Sequence, residues 1–200
     1  ASTIAVALNG QQFEEPISIL YEGTPSILSV TPASGPRLGG TMLHVQGQHL
    51  EAGTTYTCRF ESFGVVSATR DGNTVRCMAP VCTLVTTHLQ RVAVEVSIDG
   101  GAYTSSGFLF TYYGPQTLTR LVPDGGPLAG GGLCMIQGVG LHGGDRYVCS
   151  FGGIPSPASY SSARDEIRCI APPHDSESAL TLSVSLNGQQ FTYHDLQYTF

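Results

Sequence analysis

Three kinds of side chain in this sequence could do chemistry: six Cys, six His and a few adjacent carboxylates. A zinc site needs close ligand pairs, such as Cys-x-x-Cys with a second pair or His-x-x-x-His on one face. His44, His49, His88, His142, His174 and His194 show no such spacing, and Cys77 and Cys82 are too far apart for a pair and have no second one. Glu14-Glu15 and Asp165-Glu166 have the residue types of a glycosidase. Both stand beside turn residues and read as solvated charges. The glycine-rich run 125–132 lacks the Lys-Ser/Thr ending of a phosphate loop, and no helical periodicity follows it. No Gly-x-Ser-x-Gly elbow is present. Calcium between domains takes several carboxylates, and only Glu22 and Asp124 lie near the short junctions. The expectation is a chain with no catalytic residue, no metal and no cofactor.

Composition narrows the class. The chain has 200 residues, a net charge of −6, 12% charged and 41% hydrophobic residues. That balance opposes disorder, and an acidic chain makes a poor phosphate binder, so no nucleic-acid partner is expected. All 9 cations are Arg, which removes Schiff-base and P-loop lysine chemistry. No apolar run approaches the length of a membrane span. The first ten residues lack the charged start and long apolar core of a signal peptide.

The elements that would carry any site are strands. Thr3 to Gly10, Val92 to Gly100 and Leu180 to Gly188 alternate apolar with small or polar residues and end in Asn-Gly or Asp-Gly. Period two marks a strand with one buried face. The terminal dipeptide predicts a type I′ hairpin turn, with positive φ at both central residues. An aromatic-rich strand follows each turn, at Ile17 to Tyr21, Phe108 to Tyr113 and Leu196 to Phe200. A longer repeat precedes the second and third hairpins. Val30 to Pro36 matches Val122 to Pro127 with one residue fewer, Gly39 to Gly47 matches Gly130 to Gly138, Tyr56 to Phe60 matches Tyr147 to Phe151, and Val75 to Pro80 matches Ile167 to Pro172. The chain thus divides into residues 1–22, the last hairpin of a preceding truncated unit, and two full units at 23–113 and 114–200. Each full unit offers about seven short strands, the pattern of a Greek-key β-sandwich.

Pro-x-x-Gly-Pro, Gly-Gly-Thr, a strand ending in Gly, Cys-x-Phe and Cys-x-Ala-Pro, taken in order, resemble the IPT/TIG domain (immunoglobulin-like, plexin, transcription factor). The resemblance covers nearly the whole chain. The second copy departs at Asp124-Gly125-Gly126-Pro127 and at Gly132 in the place of Thr41. The resemblance implies tandem immunoglobulin-like sandwiches, an all-β fold. Family members occur in plexin-like and fibrocystin-like ectodomains, transcription factors and secreted bacterial enzymes, so the fold alone does not choose the function.

Eighteen residues lie between Cys58 and Cys77, and nineteen between Cys149 and Cys169, at matching places in the two copies. One disulfide per unit is the expectation, each closing a loop of about 20 residues and adding about 3 kcal/mol. The alternative is six reduced, buried thiols. Cys134 replaces Leu43 on an inward strand face, and Cys82 follows Ala79-Pro80 in a loop; each is a candidate free or interchain thiol. Paired cysteines imply an oxidising compartment. Asn9, Asn73 and Asn187 are not followed by the Asn-x-Ser/Thr pattern of N-glycosylation. Of Tyr112 and Tyr113, alternation sends one inward and leaves the other to pack at the junction.

These features predict a non-catalytic segment of a large cell-surface or extracellular protein, serving spacing and protein–protein contact in adhesion, a receptor ectodomain or a filament. Its partners would be proteins, including further copies of itself or neighbouring repeats, without membrane insertion of this segment. The alternative is an accessory β-sandwich of a secreted carbohydrate-active enzyme. A transcription-factor sandwich is opposed by the negative charge and by Arg37, Arg59, Arg70 and Arg76, which form no basic cluster in sequence.

Overall fold

The computed structural model describes residues 2–19, 23–84, 89–192 and 196–200. His88 and His194, Glu22, and the Leu20-Tyr21 end of the first predicted hairpin lie outside them. Every regular element among the described residues is a strand. The first two, β1 (Ser2–Ile4) and β2 (Ile17–Ile19), form an antiparallel pair of their own. Ile4, Val6, Leu8, Phe13 and Ile17 on this ribbon are exposed, Leu8 almost fully at 96%.

The first unit contains β3 (Ser26–Thr31), β4 (Ser34–Pro36), β5 (Met42–Gln48), β6 (Tyr56–Phe60), β7 (Gly64–Asp71), β8 (Thr74–Met78), β9 (Gln90–Ile98) and β10 (Leu109–Tyr113). The second contains β11 (Thr117–Val122), β12 (Leu133–Val139), β13 (Val148–Phe151), β14 (Ile154–Ser161), β15 (Glu166–Ile170), β16 (Ala179–Ser185) and β17 (Gln197–Thr199). Hydrogen bonding runs β3-β5-β8-β7-β6-β9-β10-β4 in the first and β11-β12-β15-β14-β13-β16-β17 in the second. Each order folds over on itself at one strand. The first half of β7 pairs with β6 and its second half with β8, changing partner at Ala68. Strand β14 does the same between Pro157 and Ala158. A strand that changes sheets makes the corner of a sandwich, and the predicted all-β immunoglobulin-like fold is what the chain adopts.

Alternation fills each core. Leu43 and Val45 of β5, Phe60 of β6, and Val92, Val94 and Val96 of β9 point inward with Phe110 and Tyr112. Ile136, Phe151, Ile167, Leu182, Val184 and Tyr198 do the same in the second unit. Cys58 of β6 is joined to Cys77 of β8, and Cys149 of β13 to Cys169 of β15. Each bond ties the two strands that flank the corner strand.

Two sequence expectations are corrected. Register aligns Val30-Val45 with Leu121-Ile136, so the two copies have equal length here and the missing residue disappears. Of the three predicted Asn-Gly or Asp-Gly turns, the one at 99–100 alone has positive φ at both central residues, Asp99 at 50° and Gly100 at 72°. At Asn9-Gly10 and Asn187-Gly188 the glycine alone is left-handed, at 74° and 75°. The reason is local: each Asn side chain accepts the amides of the two Gln residues that follow, an Asx turn that holds the Asn itself at negative φ.

Candidate interaction surface at the joint

Among the described residues, those with catalytic potential lie apart from one another. Glu14 and Glu15 are exposed. Glu166 is a correction: it is buried on β15, not solvated, because Arg168 donates two hydrogen bonds to its Oε1 at 2.7 and 2.8 Å. Asp165 beside it accepts from the Tyr160 hydroxyl at 2.7 Å. Partial burial, reinforced by Asp165, pushes that phenol up to about 12. The run 125–132 is the loop before β12. His44 is half-buried on β5, His142 is exposed, and His174 lies 5.0 Å from the Phe200 ring. Among the described residues no three His, Cys, Asp or Glu side chains gather as metal ligands would. Cys82 and Cys134 are buried in different cores, without a disulfide partner. Burial pushes the Cys134 thiol up.

Buried polar groups gather instead where the two sandwiches meet. One partner is the segment 33–42 of the first unit, between β3 and β5. The other comprises the loop 143–146 and the hairpin end 187–190 of the second. Asp145 accepts the Ala33 amide through Oδ2 at 2.6 Å and the Ser34 hydroxyl through Oδ1. Gln189 accepts the Met42 amide at 2.9 Å and donates to the Met42 carbonyl at 2.8 Å. Its carboxamide thus pairs with the end of β5 as a neighbouring strand would. Gln190 donates to the Gly40 carbonyl at 3.0 Å and accepts from the Thr41 hydroxyl at 3.1 Å. Asn187 donates to the Ser34 carbonyl and the Thr41 hydroxyl, both at 3.2 Å. Ser34, Thr41 and Asn187 are buried, so losing a partner strands a desolvated polar group, a cost of about 1–3 kcal/mol.

Apolar contact supports the polar one. Tyr112 and Tyr113 are adjacent, yet they enter different cores. Tyr112 packs in the first and donates to the Pro80 carbonyl at 2.9 Å. Tyr113, 2% exposed, packs in the second. Its phenol is held well above its usual range by burial, then by Asp145 and Tyr147. Leu89 also leans on the second core. Gly143 lets it approach: a Cβ there would lie 2.4 Å from Leu89, and φ is 93°.

The matching end of the first unit differs. Asp99 stands where Asn187 does, and Gly101-Ala102 replace Gln189-Gln190. Asp99 Oδ1 accepts the Thr55 and Thr54 amides at 2.7 and 2.9 Å. These bonds, Thr55 first, hold its carboxyl down at about 2. An open cavity of about 430 Å³, bordered by His49, Asp99, Gly101 and Tyr103, lies at this end.

Gln-Gln-Phe follows the Asn-Gly turn in both the first and the last hairpin. The signal was the identity of residues 9–13 and 187–191, Asn-Gly-Gln-Gln-Phe, beyond what a turn requires. Asp145 carries no signal of its own, since one Asp in a glycine-rich loop reads as turn chemistry.

The comparisons agree with this architecture. The family model described as "IPT/TIG domain" matches residues 25–112 and 117–200. Plexin-A3 of Homo sapiens is 30% identical over 118 residues, 59% of this chain and 6% of that protein. Fibrocystin-L of Homo sapiens is 24% identical over 172 residues, 86% of this chain and 4% of that protein. The chain therefore spans only a small part of the curated relatives it matches. Among solved structures, the full extracellular region of plexin A4 superposes with a TM-score of 0.57 at 22% identity, covering 88% of this chain and 15% of that one. That likeness concerns the fold. With two family matches in tandem, each over a disulfide-bearing sandwich, the chain belongs to the IPT/TIG domain family.

Proposed function

We propose that this chain is a non-catalytic structural and protein–protein interaction segment of a large cell-surface or extracellular protein. The observation that carries the reading is the joint. A hydrogen-bonded interface directed largely at main chain, with Tyr113 inserted across it, fixes one sandwich against the next. Such an interface fits a protein whose work is to hold surfaces at set positions. The intrachain cysteine bonds fit an oxidising compartment. Plexin A4 contains a similar fold within its extracellular region.

Small-angle X-ray scattering of the oxidised chain tests this. The expected profile is that of one fixed inter-unit arrangement. Asn187→Ala/Gln189→Ala/Gln190→Ala should broaden the distance distribution with both sandwiches still folded. A wild-type profile already matching freely jointed units would overturn the reading.

A further inference from the structure

The second core holds a thiol beside its own disulfide. Cys134 of β12 stands directly opposite Cys169 of β15 in the antiparallel ladder, and Cys169 is the residue bonded to Cys149. Directly opposed residues put their side chains on one face, with Cβ atoms about 4.5–5.5 Å apart. Their Cα atoms, also about 4.5–5.5 Å apart, fall within the span that a disulfide bridges. All three cysteines are buried in the same core. The first unit is built otherwise. Leu43 stands opposite Cys77, and Cys82 lies in the loop beyond β8, not on a strand paired with Cys58 or Cys77.

The surroundings of Cys134 differ in step with it. In the first unit Thr41 and Phe110 crowd Gly35, where a Cβ would collide with both side chains. In the second, Gly132 takes the place of Thr41 and Tyr198 that of Phe110: Tyr198 pairs with Leu180 as Phe110 pairs with Val92. The hydroxyl has thus moved from the threonine to the tyrosine, and a Cβ on Gly132 would lie 3.4 Å from it. There it meets the Cys134 thiol as a donor, and among the described residues it has no other partner. Burial opposes ionisation of Cys134, while the Tyr198 hydroxyl and then the Ala171 amide favour it.

We propose that Cys134 is an internal exchange thiol that takes Cys169 from Cys149. The Cys134 thiol gives up its proton, and its sulfur bonds to Cys169 Sγ. The Cys149–Cys169 bond breaks with its electron pair on Cys149, which takes up a proton. One thiol and one disulfide are present before and after, so no oxidant or reductant is consumed. Tyr198 donates to the attacking thiolate. The exchange has a structural result. The bond to Cys149 ties β15 to β13, across the corner strand β14 and so between the two sheets. The bond to Cys134 ties β15 to a strand with which it already pairs. The second sandwich thereby trades a tie between sheets for one within a sheet, and the first, with Leu43 in that place, does not.

Non-reducing peptide mapping of the oxidised full chain tests it. The chain is held in the ordinary thiol range, about pH 8.5, without added thiol or oxidant, then quenched with acid and alkylated. A Cys134–Cys169 peptide with alkylated Cys149 should grow in at a rate independent of protein concentration. Over the same time Cys58 and Cys77 should stay linked, with Cys82 the alkylated thiol of the first unit. Cys134→Ala and Cys134→Leu should each abolish the alkylation of Cys149. Tyr198→Phe, which restores the first unit's residue, should slow the exchange about tenfold, the worth of one hydrogen bond to a charged group. The proposal is overturned if Cys134 remains the only alkylated cysteine of the second unit at all times, if Cys149 is alkylated as fast without Cys134, or if both units exchange equally.

Discussion

At the residue scale, Asp99 makes a prediction with a definite sign. Its carboxyl is held down at about 2 by the Thr55 and Thr54 amides. A depressed carboxyl stabilises the fold above the ordinary carboxylate range, about pH 4, and that contribution is lost as pH falls through about 2. The Asp99 carboxyl resonance and the Thr54 and Thr55 amide shifts should therefore move together near pH 2. A midpoint near pH 4 would refute the assignment. The cysteines predict a second effect. Cys58→Ser or Cys149→Ser opens a loop of about 20 residues and should cost about 3 kcal/mol, seen as a lower Tm of that unit; unchanged melting would count against the bond. Cys82 and Cys134, buried in separate cores, should resist alkylation until the chain is unfolded.

At the scale of elements, β9 shows what alternation can and cannot reveal. Period two places Val92, Val94 and Val96 inward, as found, and would leave Glu95 in solvent. Instead Glu95 is 6% exposed. The chain after the turn returns over it: Glu95 accepts the Ser106 and Gly107 amides at 3.1 and 3.0 Å and the Thr104 hydroxyl. Gly107, at φ 71°, lets the chain rejoin β10 in register. Glu95→Ala should free this segment at a cost of about 2–3 kcal/mol, since hydrogen bonds to a charged group are the stronger kind. Hydrogen exchange at Ser106 and Gly107 should accelerate; unchanged protection would show that the segment holds without the carboxylate. The sandwich class was legible because alternation, turn residues and the in-order repeat depend on near neighbours in sequence. The cover over Glu95 and the grip of Gln189 on Met42 were not, because both depend on chain that returns from elsewhere. In the second unit Ser183 occupies the place of Glu95, so even the internal repeat gave no hint.

At the scale of the whole molecule, the question is whether the two sandwiches are stable independently. Short Pro-containing linkers limit motion but couple nothing by themselves. The coupling lies in side chains that leave one unit to complete another. Tyr113 belongs by hydrogen bonding to the first sheet, where its strand β10 pairs with β9 and β4. By packing it belongs to the second core, with Leu121, Ile136 and Leu141 among that core's members. Tyr113→Ala should therefore cost about 3–5 kcal/mol, the usual penalty for emptying an aromatic site, and the loss should fall on the second unit. Tyr112→Ala should cost a similar amount but on the first. Hydrogen exchange read by mass spectrometry separates the two cases: β13 and β16 should lose protection in the first variant, β6 and β9 in the second. If Tyr113→Ala loosened β6 and β9 instead, the side chain would be serving its own sheet and the joint would be held by its polar contacts alone. If both variants loosened both units equally, the pair would unfold as one cooperative body, and the joint would contribute to stability as well as to orientation.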